Sequence, residues 1–385
     1  MTEHVDTGWS VREFDGIDLG DARLNRRLLT LAEALGALPQ APINQASADW
    51  QATKAAYAFF DNPQALPAQI LLPHQQRTLE RMAAHPLVLA IQDTTLLNYT
   101  HHPATSGLGP IGGGQRGLVM HSTLAATPQG LPLGVLDQQI WARPEAEKAA
   151  KRAKPRPIAE KESHKWLAAL RETVSITPSE TRLVTIADRE ADIFEFLAEA
   201  EDLQAEYVIR AAQDRRLKGE VALLWAHMLK QAVVGTVTVE VAARGSKPAR
   251  QAEVQVRVAQ LTLQPPQRGA DDPGVWLEPL EVWALWAHEV AAPEGVEPLD
   301  WLLLTNVAIE TWEDATERLG WYCLRWLIET WHKILKSGCT IEDCRLETAE
   351  RLKPYLTPNC YRYLLKNASS GICLPNRLNE TTRAR

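Results

Sequence analysis

Three acidic side chains that lie far apart in the chain are of a type that could do chemistry together. Asp93 follows the apolar run at residues 87–91, Asp188 follows the apolar run at residues 183–187, and Glu329 lies in a polar, tryptophan-rich segment. Carboxylate oxygens are the ligands that Mg²⁺ and Mn²⁺ prefer. Two such ions can activate an attacking oxygen and stabilise the leaving oxygen of a phosphodiester. The three side chains are therefore a candidate site for two Mg²⁺ ions, for which Mn²⁺ could substitute.

The two aspartates need strands to bring them together. Each apolar run before them has the length and composition of a buried strand. In open α/β sheets, the edge where strands end at their C-termini is where ligands bind. For either aspartate alone there is a second interpretation, because aspartate also caps helices and turns at such positions.

The element that would position Glu329 is a helix. The stretch "GWYCLRWLIETWHKILKSGC", residues 320–339, has apolar residues at helical spacing, and Gly338 fits its C-terminal end. At about 100° per residue, four polar side chains share an arc of about 60°: Tyr322, Arg325, Glu329 and Lys336. The simpler interpretation is a solvent-exposed face with ion pairs four residues apart. Trp326 lies on the polar side, where a tryptophan usually has a core, a cation or a nucleic-acid base as its partner.

Composition limits the class of protein. The chain has 385 residues, enough for two or three domains, with 45% hydrophobic and 23% charged residues, as in ordinary globular proteins. Neither a membrane-spanning run nor a signal peptide is expected, and five cysteines, none before Cys323, favour a reducing cytoplasm. The net charge of −7 argues mildly against nucleic-acid binding, but seven lysines and arginines are concentrated in a predicted basic loop at residues 148–165.

The elements change type along the chain. Residues 1 to about 85 have helical spacing, the following segments alternate strands and helices, and residues 213–305 are rich in alternating strands. This order predicts a mixed α/β protein with an antiparallel insertion. In the first long helix, Arg23, Arg26 and Arg27 share one face, where they would serve solubility or contact phosphates.

Several motifs carry a resemblance to a known family. The spacing of Tyr322, Arg325, Glu329 and Lys336 resembles the tyrosine–arginine–glutamate–lysine signature of the insertion-sequence-four family of DDE transposases. "IQDTT" around Asp93 and "ADREADI" around Asp188 resemble the two aspartate motifs of that family. "LGDARLNRRL" near the start and "WLLLT" from Trp301 are similar to the Tn-five transposase branch. The resemblance extends from about residue 8 to about residue 350.

The resemblance implies a fold and a division of the chain. The fold would be a ribonuclease-H-like catalytic domain with a β-rich insertion, preceded by a small all-helical DNA-binding domain. The implied parts are a helical transposon-end binding region at 1–70, the first catalytic part at 71–212, the antiparallel β insertion at 213–305, the signature helix at 306–350, and an atypical tail at 351–385.

The resemblance also implies cut-and-paste DNA transposition. Two divalent ions held by Asp93, Asp188 and Glu329 would serve hydrolysis, a DNA hairpin intermediate and strand transfer. Trp301 would stack on a flipped base with help from Trp326. Other matching residues would contact DNA. Those at phosphates would be Tyr322, Arg325, Lys336 and Arg210. Those of the N-terminal helix at the transposon end would be Arg23, Arg26 and Arg27.

The tail departs from the family. Residues 351–385 are polar, lack a helical period and are expected to be disordered or altered. Two hypotheses therefore remain open. The first is a transposase that binds inverted-repeat ends and target DNA as a homodimer in a DNA-bridged synaptic complex, in the bacterial cytoplasm at the nucleoid. The second is a truncated, non-catalytic protein that occupies transposon ends or inhibits full-length transposase.

Overall fold

The computed structural model describes residues 8–145, 156–241, 248–267, 277–359 and 378–384. Within them, five helices precede the first strand, as the sequence predicts: α1 Trp9–Glu13, α2 Ala22–Ala37, α3 Ile43–Ala46, α4 Trp50–Phe60 and α5 Pro67–Met82. The Asp21 and Asp49 side chains cap α2 and α4 by accepting backbone N–H groups of the first turn. Pro67 begins α5, where its missing N–H costs nothing.

One mixed sheet organises the rest of the described chain. Its strands are β1 Leu87–Asn98, β2 Gly109–Gly112, β3 Gln115–Ala126, β4 Pro132–Trp141, β5 Arg182–Ala187, β6 Glu206–Arg210, β7 Val233–Val241, β8 Arg250–Leu263, β9 Leu280–Glu289, β10 Asp300–Thr305 and β11 Leu378–Ala384. The order is β11-β7-β8-β9-β10-β6-β5-β1-β3-β2, and β4 pairs with β3. The mixed α/β class predicted from the sequence is thus observed.

The centre of the sheet brings the aspartates together. Strands β5 and β6 run parallel to each other, and β5 runs parallel to β1, whereas β3 and β4 form an antiparallel hairpin beside β1. The prediction that Asp93 follows the end of a strand is wrong, because β1 continues to Asn98. The extended conformation persists because residues 89–98 all pair with β3.

The strands predicted between residues 213 and 305 extend this same sheet. Strands β7, β8, β9 and β10 pair antiparallel in sequence order, and β10 pairs antiparallel with β6. Strand β11 pairs with β7 at the far edge. Helices α6 His164–Ile176 and α7 Phe194–Asp202 follow β4 and β5, and the short α8 Leu224–Leu229 precedes β7. The first half of the basic loop, through residue 155, lies outside the described residues.

The segment predicted as one helix is interrupted. Helix α9 spans Trp312–Cys323 and α10 spans Trp326–Lys333, followed by a π turn at Ile334–Gly338. At the junction, the N–H groups of Leu324 and Arg325 bond to carbonyls three residues back, which tightens the helix. A constant 100° per residue therefore does not describe the positions of the signature side chains along this segment.

The beginning of the tail also differs from the expectation. Helix α11 spans Ala349–Asn359, so residues 351–359 are helical although Pro354 and Pro358 lie within them. Leu352 and Leu356 are fully buried, and this burial stabilises a helix that the composition of the segment does not predict. Residues 360–377 and 385, which complete the atypical tail of the prediction, lie outside the described residues.

Helices cover both faces of the sheet. One apolar cluster joins α2, α4, α5 and α9–α11 to the sheet, and a second joins α6, α7 and α8 to it. Within the described parts of the chain, no helix is long and apolar enough to span a membrane.

Side chains of α5 bind the backbone of β4, which pairs only with β3 among the described strands. His74 Nε2 accepts the Val135 N–H at 2.9 Å, and Gln75 donates to the Leu136 carbonyl at 2.7 Å. The Arg81 guanidinium donates to the Leu133 carbonyl at 2.6 Å. These bonds satisfy edge groups that would otherwise be open to another strand.

The same helix holds α1 through a buried carboxylate. Glu13 Oε1 lies 2.5 Å from His74 Nδ1 and 3.0 Å from the Arg81 guanidinium. Burial alone would raise the pKa of Glu13, but the hydrogen bonds and charges of His74 and Arg81 lower it below its usual value. Helix α1, helix α5 and strand β4 are thus joined by one buried polar cluster.

Candidate active site

Asp93 lies inside β1, where α10 packs against the strand. Its side chain is 16% exposed, and its Oδ1 accepts the Thr94 N–H at 2.8 Å. Its Oδ2 lies 3.7 Å from Nδ1 of His332 on α10. The carboxylate therefore sits in a narrow, mostly dehydrated position between the sheet and the helix.

Asp188 lies just past the end of β5, as predicted. Its Oδ1 accepts the Glu190 N–H at 2.8 Å and caps the short 3₁₀ turn Arg189–Ala191. The capping interpretation of this residue is thus observed. A cap uses one oxygen of the carboxylate, so it does not exclude a second role for the same side chain.

Glu329 lies on α10 with its side chain 54% exposed, and it forms an ion pair with Arg325 one turn earlier. This pair was expected for a solvent-exposed face. Arg325 is only 19% exposed, however, so the pair stands at the border of a buried region rather than on an open surface.

Two other carboxylates act on Asp93. Its pKa is raised to about 7: burial is the largest cause, the nearby Arg325 opposes the rise, and the charges of Asp188 and Glu329 add to it. Among the described residues, no three acidic, histidine or cysteine side chains are close enough to enclose a metal ion. Carboxylate oxygens that repel one another are nevertheless the donors that suit a hard divalent cation, which would relieve the repulsion.

Arg325 is the cation at the centre of this group. Burial alone would lower the pKa of its guanidinium, but Tyr322, Glu329 and Asp93 raise it overall above its ordinary value. Burial raises the pKa of the Tyr322 hydroxyl. The charges of Arg325 and Arg210 oppose this rise, and the charge of Asp188 adds to it. Tyr322 therefore lies within electrostatic reach of both arginines and of Asp188.

Trp301 packs edge-on against Tyr322, with ring centroids 5.2 Å apart and an angle of 72° between the planes. Arg210, on the neighbouring strand β6, donates to the Asp300 carbonyl at 2.8 Å. Arg210 and Asp300 are close because β10 pairs antiparallel with β6, with Leu303 opposite Arg210. Trp326 is partly buried and packs against the apolar core.

The remaining predicted residues have other contacts. The Lys336 ammonium donates to the Leu96 carbonyl at 2.6 Å. On α2, Arg23 pairs with Asp21 at 3.0 Å, Arg26 is exposed and Arg27 is half-buried. None of the side-chain contacts described above for the carboxylate group involves these three arginines.

His332 was not predicted as a site residue. Burial lowers its pKa to about 3, with the Lys336 charge adding to the effect, so the imidazole next to Asp93 is neutral at pH 7. Its ring lies tilted over Trp331, with centroids 5.0 Å apart. The sequence offered one sign of a role for His332, because this residue comes about one turn after Glu329 at the border of the polar arc.

The pKa of Asp93 predicts how stability depends on pH in the absence of divalent ions. The folded protein keeps this proton up to about pH 7, whereas the unfolded chain releases it near 3.8. Between these values the free energy of unfolding should fall with rising pH, by at most about 1.4 kcal/mol per unit, and level off above. Urea unfolding in EDTA at about pH 5 and about pH 8 should show wild type losing stability relative to Asp93→Asn. If the difference in stability between wild type and Asp93→Asn is the same at both pH values, the raised pKa of Asp93 is contradicted.

The arrangement combines anionic oxygens with cations. Asp93, Asp188 and Glu329 carry the oxygen type that divalent ions bind, and Arg325 and Arg210 carry donors of the kind that fit phosphate oxygens. Such a site suits a reaction at a phosphodiester.

Two family models match the chain. The model described as "Transposase DNA-binding" matches residues 6–65, which include α1 to α4. The model described as "Transposase DDE domain" matches residues 134–357, more than half of the chain. The second range includes Asp188, Glu329 and the whole signature, whereas Asp93 precedes it. The chain therefore belongs to the family of DDE-domain transposases.

Proposed function

We propose that this transposase is catalytic and works by cut-and-paste transposition, with hydrolysis and strand transfer at transposon ends. The observation that carries the proposal is the mostly dehydrated Asp93 carboxylate, which lies beside α10 within electrostatic reach of Asp188, Glu329 and the mostly buried Arg325. A non-catalytic DNA-binding protein would gain nothing from a dehydrated Asp93 within electrostatic reach of two further carboxylates.

The catalytic fold in this proposal is ribonuclease-H-like, and the chain belongs to the insertion-sequence-four family near the Tn-five branch. The strand order β4-β3-β1-β5-β6, with an antiparallel hairpin on one side of β1 and parallel strands on the other, supports the fold. The four-residue signature supports the family, and the segments "LGDARLNRRL" and "WLLLT" support the branch.

Asp93, Asp188 and Glu329 would hold two Mg²⁺ ions, for which Mn²⁺ could substitute. Such ions supply activation of an attacking oxygen and stabilisation of the leaving oxygen. Arg325, Tyr322, Lys336 and Arg210 would hold phosphates of the cleaved end. These groups would orient the phosphodiester towards the carboxylates and exclude water from the side of α10.

The DNA-binding match supports DNA as the partner. In the proposal, α2 contacts phosphates of the transposon end through Arg23, Arg26 and Arg27. The protein then acts on inverted-repeat ends and target DNA as a homodimer bridged by DNA.

A cleavage assay on the inverted-repeat ends of the element from which the chain comes tests the proposal. We expect nicking that requires Mg²⁺ or Mn²⁺ and stops with EDTA. Binding of the ends without cleavage in either ion would overturn catalysis and return the protein to the class of non-catalytic end-binding proteins. Cleavage that persists in EDTA would overturn the role of divalent ions.

The tryptophan of β10 should act after the first nick. If the hairpin route operates, Trp301 stacks on a flipped base, a contact worth about 1–3 kcal/mol. Trp301→Ala should then slow hairpin formation by about tenfold to a hundredfold and the first nick much less. Trp301→Phe, which keeps a ring against Tyr322, is the matched control. Separate rates for nick and hairpin measure this, and equal losses at both steps would indicate a packing defect instead.

A further inference from the structure

Lys336, the last residue of the signature, is held by the protein itself. Its Nζ donates to the Leu96 carbonyl of β1 at 2.6 Å and lies 3.9 Å from Oε1 of Glu342. Glu342 belongs to the short 3₁₀ turn Ile341–Asp343, which follows the π turn. No sequence pattern marked Glu342 as a functional residue.

Glu342 has a second contact on the same strand. Its Oε1 also accepts the backbone N–H of Asn98, the last residue of β1, at 2.6 Å. The buried Tyr99 donates its hydroxyl to the Ile341 carbonyl at 3.0 Å. Two hydrogen bonds therefore fasten the turn that carries Glu342 to the end of the strand that carries Asp93.

The strand needs these contacts because, past Ile91, one of its sides has no neighbouring strand among the described residues. Strand β5 pairs with β1 from Leu87 to Ile91, whereas β3 pairs with β1 as far as Asn98. Backbone groups of residues two apart point to the same side of a strand, so the Leu96 carbonyl and the Asn98 N–H lie on one side. Lys336 and Glu342 supply the donor and the acceptor that a neighbouring strand would supply.

We propose that Glu342 is a positioning residue for nicking, acting through Lys336 and the Asn98 amide. The inference rests on the proposed function, in which Lys336 holds a phosphate. An ammonium group has three donors, and one of them is used by Leu96. The Glu342 carboxylate restricts the long lysine side chain to one place beside β1, so that the remaining donors face DNA in a fixed direction. Glu342 itself contacts no DNA.

The test compares three single variants on the inverted-repeat ends in Mg²⁺. Glu342→Ala should slow nicking by about tenfold to a hundredfold while the affinity for ends stays within about threefold, because misplacement costs rate more than binding. Glu342→Gln keeps an acceptor for Asn98 but loses the charge, so its rate should lie in between. Asp343→Asn, an exposed neighbour in the same turn, is the matched control and should nick at the wild-type rate.

A double-mutant cycle separates positioning from general stability. In a Lys336→Ala background, Glu342→Gln should have no further effect on the nicking rate, whereas additive losses would overturn the inference. Hydrogen exchange detects the hydrogen bond between Asn98 and residue 342 independently of activity. The Asn98 amide should exchange faster in Glu342→Ala than in Glu342→Gln. If wild type and Glu342→Ala nick at the same rate, this inference is overturned and the proposed function stands. Wild type that does not nick would overturn the proposed function and this inference with it.

Discussion

Asp93→Asn, Asp188→Asn and Glu329→Gln should each slow nicking at transposon ends by at least about a thousandfold. Each change removes one carboxylate charge and keeps the size of the side chain, so the fold and the DNA-binding helices should be unaffected. The affinity for the ends should therefore stay within a few-fold of wild type. Single-turnover nicking and gel-shift binding, measured on the same preparations, check both parts.

Asp202→Asn is the control for this series, because Asp202 is an exposed aspartate at the end of α7. It should nick as wild type does. Robust nicking by any one of the three site variants would remove that residue from the mechanism. A parallel loss of end binding would instead indicate misfolding.

Arg325→Ala should have the second largest effect, a loss of nicking of at least about a hundredfold. The guanidinium pairs with Glu329 and lowers the pKa of Asp93, so its removal leaves three carboxylates without their central cation. We also expect the salt dependence of end binding to become shallower by about one charge, because a phosphate contact is lost. Rates and a salt series of binding constants measure these two effects.

Arg325→Lys is the matched comparison. Lysine keeps the charge but cannot form two parallel hydrogen bonds, so it should retain part of the activity. If both variants nick like wild type, the pair of Arg325 with Glu329 is only the surface ion pair of the simpler interpretation. Thermal unfolding with and without Mg²⁺ adds a second readout, since a divalent ion should recover more stability in Arg325→Ala than in wild type.

Apolar patterns predicted much of the fold. The runs before Asp93 and Asp188 and the alternation in residues 213–305 are strands, because a strand buried on one or both faces must show such patterns. The same patterns could not place the end of β1. Residues 94–96 and 98 are only partly buried but keep pairing with β3, and burial alone does not show that pairing.

The site was predictable where spacing is local. The pair of Arg325 with Glu329 follows from four residues of helix. The junction at Leu324 and the π turn at Ile334–Gly338 were not predictable, because they depend on how α9 and α10 pack. The contact of Lys336 with Leu96 joins residues 240 positions apart, and only the folded chain shows it.

In the proposed function, the cluster of Glu13, His74 and Arg81 has a consequence for where DNA is cut. Helix α1 lies in the DNA-binding match and β4 in the DDE match, and α5 joins them through buried hydrogen bonds. The distance from the recognised sequence to the cleaved bond is then a fixed length of protein. One added base pair moves the bond by about 3.4 Å and turns it by about 35° around the duplex. A protein that cleaves in the proposed way would therefore set the cut site by its own dimensions, without contacts that read the bases at the cut.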